Sequence, residues 1–487
     1  MRPRSWPQKV FPVASIVLTL AAVVWFYHWT VRTSGGFEKP GEEDYYNFLV
    51  QGWRQGHLHM SKEPRPELLA LADPYDPAQN AAVRLGDASY FRGHNYLYFG
   101  AAPAALLLWP YAVLTGRELG TTTAIFIFSV IGFLAASGLW LAIRRRYFPA
   151  SAAWVGVAGV LMLGLATHVL ALERRPFVWE LPIAAAFAFM MLAFVGLYRA
   201  LVGPRPELAL GLAGLSLGLA VGSRPTCVLG ALMFLPPLLH LRRAAPQKTL
   251  WRRGALAAAA GLGVCLLALA SHNIARFGNP FEFGQGFQLS GVYESKMQHF
   301  RFAYLAHNFS IYYLHLPEWT REFPFVSATA VTAPGPAGYL GGWNEPICGL
   351  AVTLPFLWLA LALPLAWRKQ NDGATWDRAP LRALLLSVAI FYGVMTAVIL
   401  GYFVATPRYL ADFTPTLALL AAVGLLARER WATPSRTRNI ALPFAAAACG
   451  VTALAGVLLS FDDHQRATRP RWANVEKFFS ARADLSR

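Results

Sequence analysis

Residues 121–143 read TTTAIFIFSVIGFLAASGLWLAI, an apolar stretch without one charged side chain. A helix of about 20 such residues crosses a ~30 Å hydrocarbon core with every backbone amide bonded internally, so the stretch reads as a membrane span. Runs of the same kind recur on both sides of it, at 10–31, 150–170, 181–202, 208–222, 226–241, 254–272, 347–367, 383–403, 413–427 and 440–460. The expected fold class is all-α: a polytopic membrane protein with about eleven transmembrane helices plus juxtamembrane helices. Composition agrees, since 56% of the 487 residues are apolar and 14% are charged, more hydrocarbon than a water-soluble fold can hide.

The first run is too long for the core of a signal peptide and no small-residue cleavage site follows it, so it is expected to stay as an anchor. Orientation follows from Lys and Arg, which are retained in short cytoplasmic loops. Arg2, Arg4 and Lys9, Arg144 to Arg146, Arg199 with Arg205, Arg242 to Arg253, Arg368 to Arg382 and Arg428 to Arg438 share one side if eleven spans alternate. That side is expected to be the cytoplasm. The formal net charge of +17 then faces anionic lipid, and nucleic acid is not implied as a partner. Residues 96–115 break the alternation if counted as a span. They are expected to form a juxtamembrane or re-entrant helix on the outer face, the alternative being a twelfth span.

The expected organisation is a module over 1–273, including an outer loop at 32–95 and the juxtamembrane helix. A second outer loop at 274–346, C-terminal helices at 347–460 and an outer tail at 461–487, read as a short amphipathic surface helix, complete it. The two loops could form one small extracytoplasmic domain. The four cysteines are scattered among predicted helices, which suggests neither a disulfide framework nor a zinc motif. No phosphate-binding glycine loop, dinucleotide fingerprint or HExxH helix occurs. His57 and His59, if helical, point their rings apart, so no metal site is expected from them.

Ionisable residues near hydrocarbon are costly and usually mark a site. Just past the first run the chain reads GEEDYY at 41–46, with Glu43 and Asp44 opening an amphipathic helix that also carries Tyr46. Acids there also suit the helix dipole, so capping is the competing reading. Residues 93–103 read GHNYLYFGAAP, where His94 and Tyr96 either contact substrate or join an interfacial aromatic belt. Residues 173–180 read ERRPFVWE and end on Glu180 at a helix start; residues 222–226 read GSRPT and hold Arg224 in a tight turn. Arg276 follows the seventh run, where it could pair with Glu282. Arg408 and Asp412, four apart in TPRYLADF at 406–413, have the spacing of a supporting ion pair, with Tyr409 between them.

An acid just after the first span, in a long outer loop followed by an aromatic and proline-containing helix, resembles the GT-C superfamily of polyprenyl-phosphate-sugar-dependent glycosyltransferases. Protein O-mannosyltransferases and lipid A aminoarabinose transferases are the relatives in view. The Tyr/His-Pro-Pro-Leu type segment of that family has no double proline here, only Pro103. The resemblance implies Asp44 as the base that deprotonates an acceptor, with Glu43 as its neighbour, and Glu180 as a second outer-face carboxylate that orients the acceptor. A divalent cation held by Glu180 and Asp44 is a possible cofactor. It further implies Arg224 and Arg408 on the donor phosphate, Arg276 nearby, and Glu43, Tyr46, His94, Tyr96 and Tyr409 against substrate. The implied partners are a polyprenyl-phosphate sugar donor, membrane lipid, and a lipid, glycan or protein acceptor. A transporter or flippase of lipid-linked saccharides is the rival, disfavoured because charges crowd helix ends rather than the midplane. A glycan ligase or polymerase remains open.

Overall fold

Backbone amides shielded from water must bond to one another, and the apolar runs accordingly coil into helices. The computed structural model describes residues 6–34, 44–175, 177–244, 249–321, 323–368, 377–431 and 436–461. Glu43 and the tail beyond Phe461 lie outside the described residues. α1 covers Trp6–Ser34 and α2 Tyr45–Arg54; β1 (Ala88–Phe91) pairs antiparallel with β2 (His94–Leu97), and α3 covers Ala104–Thr115. There follow α4 (Thr121–Tyr147), α5 (Ala153–Leu165), α6 (Val169–Arg174), α7 (Glu180–Val202) and α8 (Pro206–Ser223). The remaining long elements are α9 (Pro225–Ala244), α10 (Thr249–Phe277), α11 (Pro355–Trp367), α12 (Ala379–Leu400), α13 (Thr414–Trp431) and α14 (Arg436–Leu459).

Among the described residues, eight helices are long and apolar enough to cross a membrane: α1, α4, α7, α8, α9, α10, α12 and α14. The chain is an integral membrane protein. Three of the eleven expected spans take other forms. The run at 150–170 breaks where His168 adopts a left-handed backbone (φ 57°) between α5 and α6. The run at 347–367 begins as a short turn, Leu350–Thr353, and continues in α11 as a 3-10 helix over Pro355–Ala362. α13 carries Arg428, Glu429 and Arg430 in its 18 residues, which leaves too short a charge-free stretch. The 96–115 segment is helical only from Ala104, because Tyr96 and Leu97 belong to β2. Its 5-residue π-helical and 7-residue α-helical parts together reach about 18 Å, well short of a ~30 Å core.

α7 is apolar all round and 83% of its spanning window is buried, against 11% for α10, so α7 is the bundle core and α10 its flank. α8 and α10 meet through small residues. A Cβ on Gly214 would lie 2.1 Å from the Ala258 carbonyl oxygen, and one on Gly261 2.3 Å from that of Gly211. Such contacts let backbones approach where lipid offers no hydrophobic drive.

α4 marks two ends. Thr121 at its start donates from Oγ1 to Asp44 Oδ1 (2.7 Å). At the other end Arg144 to Arg146 lie near Arg378, whose Nη2 donates to Tyr147 O (3.3 Å), and near Glu429, whose Oε1 accepts from Ala152 N (2.7 Å). At the first end the two long loops join. Asp87 N donates to Leu289 O and Leu289 N to Ala88 O, both 2.8 Å, while Tyr293 OH donates to Asp73 Oδ2 (3.0 Å). The second loop starts later than expected, since α10 runs on to Phe277.

Candidate functional site

Pro225 restricts the residue before it to extended backbone, so Arg224 leaves α8 at φ −134°, ψ 99° and projects sideways from the α8–α9 turn. Its Nε and Nη2 donate to Asp412 Oδ1 (3.2 Å) and Oδ2 (2.5 Å), a parallel fork. The expected pair of Arg408 with Asp412 does not form, because Pro407–Asp412 is a 3-10 helix, in which residues three apart align rather than four. Arg408 Nη1 donates instead to Glu345 Oε1 (2.6 Å), and Glu345 Oε2 takes Arg175 Nη1 (2.9 Å). The Arg224 and Arg408 guanidinium groups lie 5.5 and 5.4 Å from the Tyr409 ring centroid, and Arg408 also lies 5.1 Å from that of Trp179. Two arginines 184 positions apart thus flank one ring, each still partly open, at 20% and 15% side-chain exposure.

Glu180 opens α7 fully buried, accepting Phe177 N at Oε2 (3.2 Å) within the fields of Arg408 and Arg175. Asp44 caps α2. Its Oδ1 accepts Asn47 N (3.3 Å) and Thr121 Oγ1 (2.7 Å), its Oδ2 Asn47 Nδ2 (2.8 Å) and Thr121 N (3.3 Å). The capping reading therefore describes its geometry, and the cap also ties α2 to α4. Tyr46 is buried between Asp44 and Arg224, whose charges both reach it, and donates to Gly100 O (3.1 Å). Gly100 lies where a Cβ would come 2.3 Å from the Ser223 carbonyl oxygen, so only glycine lets this loop rest against the α8 terminus.

The structure thus gathers Glu180, Arg224, Arg408 and Tyr409, with Tyr46 bridging toward Asp44. Arg276 is not among them. It is buried at the end of α10, donating from Nη1 to Leu97 O and from Nη2 to Asn273 Oδ1 (both 2.8 Å), which ties α10 to β2. Glu282 accepts Gly284 N (2.6 Å) rather than pairing with it. Tyr96 packs on Phe277 (5.3 Å between centroids) and His94 on His59, also away from the arginines. A divalent cation shared by Asp44 and Glu180 does not fit these residues, because Asp44 has its acceptor positions filled and Glu180 lies beside Arg408 and Arg175.

No protein-family model and no curated protein matches the sequence. The archaeal oligosaccharyltransferase AglB from Archaeoglobus fulgidus, solved with an inhibitory peptide and a dolichol-phosphate, superposes at TM-score 0.52 and 14% identity over 93% of this chain. The likeness is one of fold. The chain spans 56% of the length of AglB. ArnT from Cupriavidus metallidurans matches at TM-score 0.43 in its apo state (14% identity) and 0.41 bound to undecaprenyl phosphate (12% identity), each over 92% of this chain and 75% of ArnT.

Glu345, Trp179 and Asp87 were not among the residues expected from the sequence. Glu345 had a signal: it is the only charged residue in 326–367, set just before a proline and a span. Asp87 accepts from Trp179 Nε1 (2.9 Å) and Gln288 Nε2 (2.8 Å), so it joins both loops to the α7 entrance. Burial pushes its carboxyl above the ordinary value while those two hydrogen bonds pull it down.

Proposed function

We propose that this GT-C-like chain transfers a sugar from a polyprenyl-phosphate-linked donor to a lipid, glycan or protein acceptor at the outer face of the cytoplasmic membrane. The N-terminus is then cytoplasmic, the two long loops and the C-terminus are extracytoplasmic, and eleven apolar segments alternate between them. One observation carries the reading: Arg224 and Arg408 converge on Tyr409 with donors left over. A guanidinium has five N–H groups. Asp412 uses Nε and Nη2 of Arg224, and Glu345 uses Nη1 of Arg408, so among the described residues Nη1 of Arg224 and Nη2 of Arg408 donate to no protein group. Phosphate oxygens suit those donors, and a lipid-linked phosphate is what the AglB structure contains.

The acceptor oxygen attacks the anomeric carbon from the face opposite the phosphate, forming the glycosidic bond as the carbon–phosphate-oxygen bond breaks. The anomeric centre inverts, polyprenyl phosphate leaves, and Arg224 and Arg408 take up the charge that develops on it. The acceptor proton goes to Asp44, which must first release Thr121 to regain a lone pair. Glu180 orients the acceptor.

Purified protein in lipid, given a radiolabelled polyprenyl-phosphate sugar, is expected to release polyprenyl phosphate. Arg224→Ala or Arg408→Ala should slow release by roughly 10²–10³-fold, the usual loss for one transition-state charge partner. Full activity in Asp44→Asn removes that base from the scheme, and failure to cleave any lipid-phosphate sugar refutes the reading.

A further inference from the structure

α2 ends at Arg54, and Gly56 (φ 83°) turns the chain back across it. The return depends on Gly52, where a Cβ would lie 2.0 Å from the His59 carbonyl oxygen. Hydrogen bonds then fix the returning segment, Met60 N donating to Asn95 O (2.8 Å) and Ser61 N to Phe48 O (3.0 Å). His59 and Glu63 are thereby held beside His94, the first residue of β2. The expectation that the His57 and His59 rings diverge assumed a helix. Off the helix they stack, 4.7 Å between centroids, and the His94 ring stacks on His59 at 4.0 Å. The Glu63 carboxylate lies 3.3 Å from His94 Nδ1 and 4.0 Å from His59 Nδ1. One donor atom from each of His59, Glu63 and His94 falls within 4.8 Å of the other two.

We propose that His59, Glu63 and His94 bind one divalent transition-metal ion, of which zinc is the best fit. Two imidazole nitrogens and one carboxylate oxygen form a donor set that zinc uses, whereas magnesium and calcium prefer oxygen throughout. Zinc bonds of ~2.0–2.1 Å at a tetrahedral centre bring donors to about 3.3 Å apart. Glu63 and His94, 58% and 43% exposed, reach that spacing by rotation over a held backbone, and the His59 ring turns its Nδ1 from the Met60 carbonyl oxygen, 3.1 Å away, to the ion. Water or His57 completes the shell. The ion ties the returning segment to β2, so it braces the outer hairpin, apart from Arg224, Arg408 and Tyr409.

The test uses full-length, tag-free protein in detergent, stripped with a chelator, and Zn²⁺ alone as probe. Calorimetry is expected to show one equivalent bound, with at least tenfold weaker binding in His59→Gln and in His94→Gln. Glu63→Gln, at an exposed position, should weaken zinc binding while leaving the melting temperature of the stripped protein unchanged. Co²⁺ should give visible absorption in the wild type that both histidine variants lose. No uptake by the wild type, tighter binding of Mg²⁺ than of Zn²⁺, or unchanged uptake in the His59→Gln/His94→Gln double variant overturns the site.

Discussion

Asp412 keeps 2% of its side chain exposed, and the fork from Arg224 is what makes that burial tolerable. Removing one partner of such a pair strands a charge and costs about 3–5 kcal/mol, whereas replacing both with apolar groups is often neutral. Arg224→Ala should therefore lower the melting temperature in detergent, and Arg224→Met with Asp412→Leu should restore it without restoring affinity for polyprenyl phosphate. Recovery of lipid-phosphate binding in the double variant would separate Arg224 from the donor site. Glu173 makes the opposite case. It is 0% exposed, has Tyr27 and Ser129 as polar neighbours, and forms no ion pair among the described residues. Burial holds its carboxyl well above the ordinary 4.5, so the folded chain keeps a proton that the unfolded chain loses as pH rises. Stability then falls by up to about 1.4 kcal/mol per pH unit above the unfolded value, until the folded carboxyl itself ionises. Melting temperatures between pH 5 and pH 8 should decline in the wild type and decline less in Glu173→Gln; parallel curves would mean that Glu173 is not the titrating group.

At the scale of elements, α8 and α10 depend on a close approach that a single methyl group blocks. Gly214→Val places branched carbon against the Ala258 carbonyl oxygen and should cost about 1–3 kcal/mol, read as a lower melting temperature, while Gly263→Ala, with open space around its Cβ position, should be near neutral. The long helices were legible in the sequence because a run of apolar residues has one way to satisfy its backbone in lipid. What was illegible depended on where the backbone departs from regular α-helix. His168 breaks a run that hydropathy alone continues, and β2 replaces the start of the 96–115 helix because its residues pair with β1. The 3-10 turn at Pro407–Asp412 exchanged the partners of Arg408 and Asp412, so each forms an ion pair, but with Glu345 and Arg224 rather than with the other. Asp44, Glu180, Arg224 and Arg408 were visible as charges at helix ends; Glu345 required knowing that a loop 63 residues upstream returns to Arg408.

Taken whole, the molecule has two chemically different ends, and the proposed orientation depends on which faces the cytoplasm. α4 separates them by about 40 Å, its 27 residues rising ~1.5 Å each. One end bears Arg144, Arg145 and Arg146 with Arg378, Arg428 and Arg430; the other bears Asp44, Glu180, Glu345 and the joined loops. Insertion keeps arginine-rich short loops inside, so the loop-bearing end should be extracytoplasmic, where a lipid-linked sugar would be presented. Cysteine labelling decides this. Cys227, Cys348 and Cys449 are buried and Cys265 is partly so, which keeps the background low. Ala78 and Arg145 are both exposed, one in the first long loop and one at the basic end. A membrane-impermeant maleimide should modify Ala78→Cys in intact cells and Arg145→Cys only after permeabilisation. The reverse pattern would invert the topology and remove donor chemistry from the outer face, and labelling of both in intact cells would show that the two ends do not lie on opposite sides of a membrane.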